Sequence, residues 1–211
     1  RKLEQAEVCP AQEYIDLANK PQEFAEIVKF PLPKGSLEGY LFPDTYDLPP
    51  LMGAREVIKR QLKAFETKVV PVIPKGQDAT RLLTVASMVE LEVAKDFERP
   101  KVAGVIENRL RIGMPLQIDA TVLYALQEWK VLGPGEVRRV ESPYNTYLNN
   151  GLPPGPIGSP GLKSVEAALA PESHDFLFYV ALPDRTHLFS TTYDQHRANI
   201  NKRKAALREA R

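Results

Sequence analysis

Two glutamates, Glu90 and Glu92, sit in the stretch TVASMVELEVAK that begins at Thr84, among Val, Met, Leu and Ala. A carboxyl held against apolar groups loses hydration, so its charged form is disfavoured and its pKa rises. Such a group can stay protonated near neutral pH and act as a general acid toward a glycosidic or ester oxygen. Successive residues of an α-helix advance by about 100°. On that count Leu82, Val85, Ala86, Met88, Val89 and Val93 make an apolar stripe. Glu92 lies about 60° from the centre of the stripe, on the side of Val85 and Met88, and Glu90 about 100° away on the other side. Glu92 is therefore the better placed for a partly buried carboxyl. The competing reading is two solvated residues at the edge of a stripe, paired with Arg99 or Arg109.

Other polar clusters follow. Gln117 and Asp119 stand just before the stretch DATVLYALQEW, where Asp119 or Thr121 suits a helix N-cap. Tyr144, Asn145, Thr146, Tyr147 and Asn149 lie within SPYNTYLNNGLPPGPIGSPG. Aromatic faces beside amides and hydroxyls suit sugar rings, which offer C–H faces and many hydroxyls. Pro and Gly alone would equally make this an ordered surface loop. His187 reads as a metal ligand, a polar group of a site, or a hydrogen-bonded core histidine. Three histidines without H-E-x-x-H-like spacing argue against a catalytic metal, and Cys9, the one cysteine, stands far from any histidine. G-x-S-x-G, P-loop and G-x-G-x-x-G patterns are missing from the sequence.

The elements that must position these residues are helical in the middle of the chain. The first thirty residues read as short helical pieces broken by Pro10 and Pro21. Residues 30–50, dense in Pro, Gly and aromatics, read as extended strand and turns. Residues 54–70 form an amphipathic helix, and the helix carrying the glutamates starts near Asp78–Thr80. Pro100 separates it from a helix over 101–113, stopped by Gly113. Residues 133–161 are mostly loop, long enough to suggest a functional role. A short helix follows at 163–171. DFLFYVALP then reads as a buried strand pairing with THLFST across a Pro-Asp turn, and the chain closes on a basic helix. The fold class is α+β: helix-rich, with a small β-sheet and a long Pro/Gly-rich loop.

The bulk properties exclude more than they assign. The 211-residue chain carries a net charge of +1, too little for a nucleic-acid or anionic-surface binder. A lone cysteine leaves no internal disulfide, and no apolar run reaches the roughly 18–20 residues of a membrane span.

Four stretches in order, LEGYLFPDTY (37–46), ASMVELEVAKDFERPKVAGVIENRLRIGMPLQIDATVLYAL (86–126), SPYNTYLNNGLPPGPIGSPG (142–161) and HLFSTTYDQH (187–196), resemble the bacterial endolytic murein transglycosylases. Leu91, Ile118 and Ala120 depart from residues usual in that family. The resemblance implies a catalytic domain over 37–211, preceded by a helical linker over 1–36 from a membrane-proximal part. It implies cleavage of the MurNAc–GlcNAc bond inside nascent peptidoglycan strands, leaving 1,6-anhydroMurNAc ends. Glu92 would be the catalytic acid and Glu90 a supporting residue. Gln117, Asp119, Tyr144, Asn145, Thr146 and Tyr147 would bind substrate, with no metal and no cofactor. It further implies peptidoglycan synthases (penicillin-binding proteins) as partners. A single-pass anchor in the inner membrane, outside this chain, would hold the domain on the extracytoplasmic side. The alternatives are a muramidase-type hydrolase and a glycan-binding scaffold of cell-wall synthesis.

Overall fold

The computed structural model describes residues 2–133 and 135–209. Eight helices are present among them: α1 (Lys2–Gln5), α2 (Ala11–Ala18), α3 (Ala54–Lys68), α4 (Ala79–Glu92), α5 (Arg99–Arg111), α6 (Asp119–Leu126), α7 (Leu162–Leu169) and α8 (Tyr193–Glu209). Strands β1 (Phe178–Ala181) and β2 (His187–Ser190) form one antiparallel hairpin. The α+β class therefore holds. Ala210 and Arg211, the end of the expected basic helix, lie outside the described residues.

Helix α4 is the centre of the molecule. Asp78 caps its start by accepting the Arg81 N–H at 3.1 Å. The expected stripe is too narrow a description, because every residue from Leu82 to Val89 is buried. Leu82, Leu83 and Ala86 join a core cluster with Phe24, Leu37, Ile58, Leu62 and Phe65. Val85, Met88 and Val89 join a second, with Val102, Ile106, Leu116, Ile118 and Ile157. A helix covered on all sides leaves only its ends for polar groups. Its last turn carries both glutamates.

Two local expectations change. Residues 30–50 form turns and irregular extended chain, with no strand among the described residues. Five prolines there, Pro31, Pro33, Pro43, Pro49 and Pro50, remove the donors a ladder needs. The 178–181 strand is only partly buried, since its residues border an open cleft. Phe24 and Val28, from the expected linker, are buried in the first cluster beside Leu37 and Tyr40.

The long loop is ordered by side chains. Between α6 and α7 the regular structure among the described residues is a single short 3-10 turn, Glu136–Arg138. Asn145 is fully buried, and its amide donates to the carbonyls of Val137 and Val140 at 2.7 and 2.8 Å. Its carbonyl accepts the Tyr147 N–H at 2.9 Å. Thr146, also buried, bonds the Ile118 N–H and shares a 2.9 Å contact with the Thr121 hydroxyl. These bonds fix the loop against the start of α6.

The hairpin is held just as specifically. After α7 the chain crosses α5 at Gly104, where a Cβ would sit 2.4 Å from the Glu172 carbonyl and 2.6 Å from His174 Nε2. Asn108 donates to the carbonyls of His174 and Phe176 at 2.7 and 3.1 Å. Helix α8 covers the other face, with His196 5.2 Å from the Phe178 ring. Alanine favours a helix over glycine by about 1 kcal/mol. Gly104→Ala should nevertheless destabilise the fold by about 1–3 kcal/mol, because backbone must move. Urea unfolding monitored by circular dichroism gives the sign.

Candidate active site

Glu90 and Glu92 are two positions apart, and a helix sends such side chains about 160° apart. Glu90 turns toward α7. Its Oε2 accepts from Arg99 at 3.1 Å, from the Ser164 hydroxyl at 2.7 Å and from the Gly161 N–H at 3.1 Å. Arg99 also bonds Asp96 and Ser164. This network ties the end of α4 to the start of α7.

Glu92 turns the other way, into a cleft of about 390 Å³. The cleft is walled by Leu91, Arg109, Leu116, Gln117, Asp119, Tyr147, the strand Phe178–Ala181, His187, Tyr193 and His196. The Tyr179 hydroxyl donates to Glu92 Oε2 at 2.9 Å. Burial pushes the Glu92 carboxyl up, with a smaller push from Asp119. The Tyr179 hydroxyl, the nearby His187 ring and the Ala120 N–H pull the other way. Tyr179 itself is pushed well above its ordinary value by burial and by the Glu92 charge, so it remains a donor.

Strand geometry sets this arrangement. Tyr179 pairs with Phe189, and Ala181 with His187. Alternation puts all four on one face, and the Tyr179 and His187 rings meet edge-on at 5.4 Å. His187 is fixed at both ends: its N–H and its Nδ1 reach the two Glu98 oxygens at 2.9 and 2.8 Å. Glu98 and His187 are both buried side chains. Of the three readings open for His187, the structure supports a hydrogen-bonded polar group on the wall of the cleft. Arg109 is buried and clamps backbone, donating to the carbonyls of Leu177 at 2.6 Å and Leu116 at 2.5 Å. It thereby sets both the approach to the hairpin and the approach to α6.

Also lining the cleft, Gln117 is held at φ +52°, a left-handed conformation uncommon for a residue with a side chain, and its N–H bonds the Thr146 carbonyl. Asp119 does not cap α6; that position belongs to Ile118, and no side chain caps it. Asp119 instead accepts the Tyr147 hydroxyl at 2.5 Å. A carboxylate at the first helical position keeps the favourable N-terminal dipole while facing outward to a tyrosine.

The structure thus brings Glu92, Gln117, Asp119 and Tyr147 to one cleft. It places Glu90 on the other side of α4, and Asn145 and Thr146 inside the loop as buried organisers. Tyr144 packs against Tyr124 with the rings tilted and their centres 4.8 Å apart, in a separate hollow. Tyr179, Phe178, Tyr193 and His196 were not singled out from the sequence; of the two arginines read as glutamate partners, Arg99 pairs with Glu90 while Arg109 bonds backbone carbonyls. The signal for Tyr179 was its phase with His187 across the hairpin. No group of three His, Cys, Asp or Glu among the described residues is arranged to hold a metal. No described helix is long and apolar enough to cross a membrane.

Comparison with known proteins gives a consistent picture. The model of the YceG-like family matches residues 2–202. The chain is 40% identical over 168 residues to the endolytic murein transglycosylase of Bacillus subtilis (strain 168), covering 77% of this chain and 47% of that protein. It is 34% identical over 178 residues to the endolytic murein transglycosylase of Streptococcus pneumoniae serotype 2, covering 78% of this chain and 32% of that one. The crystal structure of a YceG-like protein from Listeria monocytogenes is similar with a TM-score of 0.74 at 35% identity, over 94% of this chain and 67% of that one. The chain spans about half, or a third, of the length of these curated relatives.

The raised Glu92 carboxyl has a thermodynamic signature. A carboxyl whose folded pKa exceeds its unfolded value adds stability below the unfolded value, near 4.5, and loses it as pH rises through the folded value. Glu92→Gln, which cannot ionise, should therefore melt higher than wild type at pH 7. The difference should close below about pH 4.5. In a chain of this size each kcal/mol reads as about 2–4 °C in paired thermal melts.

Proposed function

The chain belongs to the YceG-like family, and we propose that it is the catalytic part of a lytic transglycosylase acting inside peptidoglycan glycan strands. The reading is carried by one observation: a carboxyl pushed up by burial, held by a neutral tyrosine donor, on the wall of an open polar cleft. The names of its relatives supply the substrate class.

In this reading Glu92 is protonated at the start. It donates its proton to the oxygen of the MurNAc–GlcNAc bond as the bond from C1 to that oxygen breaks, and GlcNAc leaves with a free hydroxyl. Positive charge develops at C1 and the ring oxygen. The Glu92 carboxylate then takes the proton of the MurNAc C6 hydroxyl while O6 bonds to C1. The product is a 1,6-anhydroMurNAc end, and Glu92 is again protonated. No water is consumed. The attack is intramolecular, so it forgoes the entropy cost of fixing a second molecule. Tyr179 stabilises the carboxylate between the two steps. Gln117, Asp119 and Tyr147, in the same cleft, offer polar groups for sugar hydroxyls. Glu90 acts at a distance, holding the end of α4 through Arg99 and Ser164. The domain would work outside the cytoplasmic membrane, where its substrate lies, anchored by a segment outside this chain and near peptidoglycan synthases.

Asp119 favours a second reading. It is a second acid in the same cleft, and a carboxylate placed to activate water would make the enzyme a hydrolase. Mass spectrometry of digested strands separates the two, since anhydro ends mark the transglycosylase and reducing ends the hydrolase. Glu92→Gln should cut the cleavage rate by about 10²–10⁴ while leaving glycan binding measurable. Cleavage at the wild-type rate would remove Glu92 from the mechanism. Binding by the wild type without any cleavage would point to a scaffold.

A further inference from the structure

Beyond the far end of α6 lie two adjoining hollows that share Ser36, Glu38 and Tyr124. One continues to Tyr14, Asn19 and Gln61, the other to Tyr144 and the Pro154–Gly155–Pro156 turn. Glu38 stands where they meet. Among the described residues its carboxylate has neither an ion-pair partner nor a hydrogen-bond donor; Lys34 lines one hollow but makes no ion pair with it. Three tyrosines surround it closely enough to sense its charge: burial first, with Glu38 adding to it, raises Tyr14, Tyr124 and Tyr144. Burial pushes the Glu38 carboxyl up as well, so its ionised form lacks compensation. A carboxylate flanked by aromatic rings, with hydroxyl and amide groups at the rim, is the chemistry that recognises an ammonium group.

Helix α6 links this place to the cleft. Asp119 at its start lines the cleft and Tyr124, five residues on, lines the hollows, a rise of about 7.5 Å. The long loop makes the same link, with Tyr147 on the cleft and Tyr144 on the hollow. Asp119 and Tyr124 point about 140° apart around α6, so a strand longer than the cleft reaches Glu38 by passing around that helix.

We propose that Glu38, with Tyr124 and Tyr144, forms a subsite for a primary ammonium group carried by the glycan strand. This rests on the function proposed above. The amine has two sources, an amino acid of the peptide branches or a sugar amine freed of its acetyl group. Neither requires a bond to be made or broken at this site.

The test compares kcat/KM of wild type and Glu38→Gln on four strand preparations. These are peptide-bearing strands, the same strands with their amines acetylated, peptide-free strands, and peptide-free strands with de-N-acetylated sugars. The wild type should prefer peptide-bearing strands to their acetylated counterpart about tenfold, through KM, and Glu38→Gln should bring that ratio close to one. A preference seen only between the two peptide-free preparations assigns the site to the sugar amine. Equal rates on all four for the wild type, or a preference that survives in Glu38→Gln, overturns the proposal. A variant that does not fold leaves the wild-type ratio as the test. Binding of Nα-acetyl-lysine amide and of glucosamine, followed by NMR shifts of the Tyr124 and Tyr144 rings, separates the two levels. Binding without any strand cleavage keeps the subsite and removes the transglycosylase; cleavage with no shift at millimolar amine removes the subsite alone.

Discussion

Taking a carboxylate out of water costs several kcal/mol unless hydrogen bonds and nearby charge replace what is lost. Glu92 receives a tyrosine hydroxyl, the start of a helix and the neighbourhood of His187, yet burial still outweighs them. Almost every other feature of the fold serves to keep that balance. Helix α4 can bring a carboxyl to the wall of the cleft because its preceding turns are covered on all sides. The hairpin can bring Tyr179 to the same atom because Arg109 and Asn108 hold the chain before it, and Glu98 holds its second strand.

The two glutamates show how position alone divides labour. Glu90 spends one carboxylate oxygen on three donors and binds two helices together. Glu92 has one side-chain donor and an open cleft before it. Their side chains are chemically identical, and the turn of the helix decides which is structural cement and which is exposed to a substrate.

Much of this was legible in the sequence where the signals are local. Asp78 as a cap, Gly113 as a stop and the hairpin partners all follow from short-range rules; Pro100, read as a break, instead sits in the first turn of α5, which begins at Arg99. The position of Glu92 beside Val85 and Met88 followed from helical phase. Membership in the family came from the ordered stretches. What stayed hidden was long-range. Tyr179 sits in an apolar run and reads as core, and only pairing with the second strand shows that it faces Glu92. Asp119 reads as a cap because caps are common; its partner Tyr147 is 28 residues away. Asn145 and Thr146 looked like ligand contacts because loops rich in amides and hydroxyls serve that role. In the fold the same groups are consumed in holding the loop itself.

The Glu92–Tyr179 contact joins residues 87 apart, and the Glu98–His187 pair residues 89 apart. Helices such as α3 and α5 close on neighbours in sequence and can form within about a microsecond. The contacts that shape the cleft must wait for the last third of the chain, because long closures are entropically costly and slow. A polypeptide still emerging, or cut before residue 178, would carry both glutamates on a helix yet lack the wall that tunes one of them. The shifted carboxyl is thus a property of α4 and the hairpin together, not of the helix that carries it.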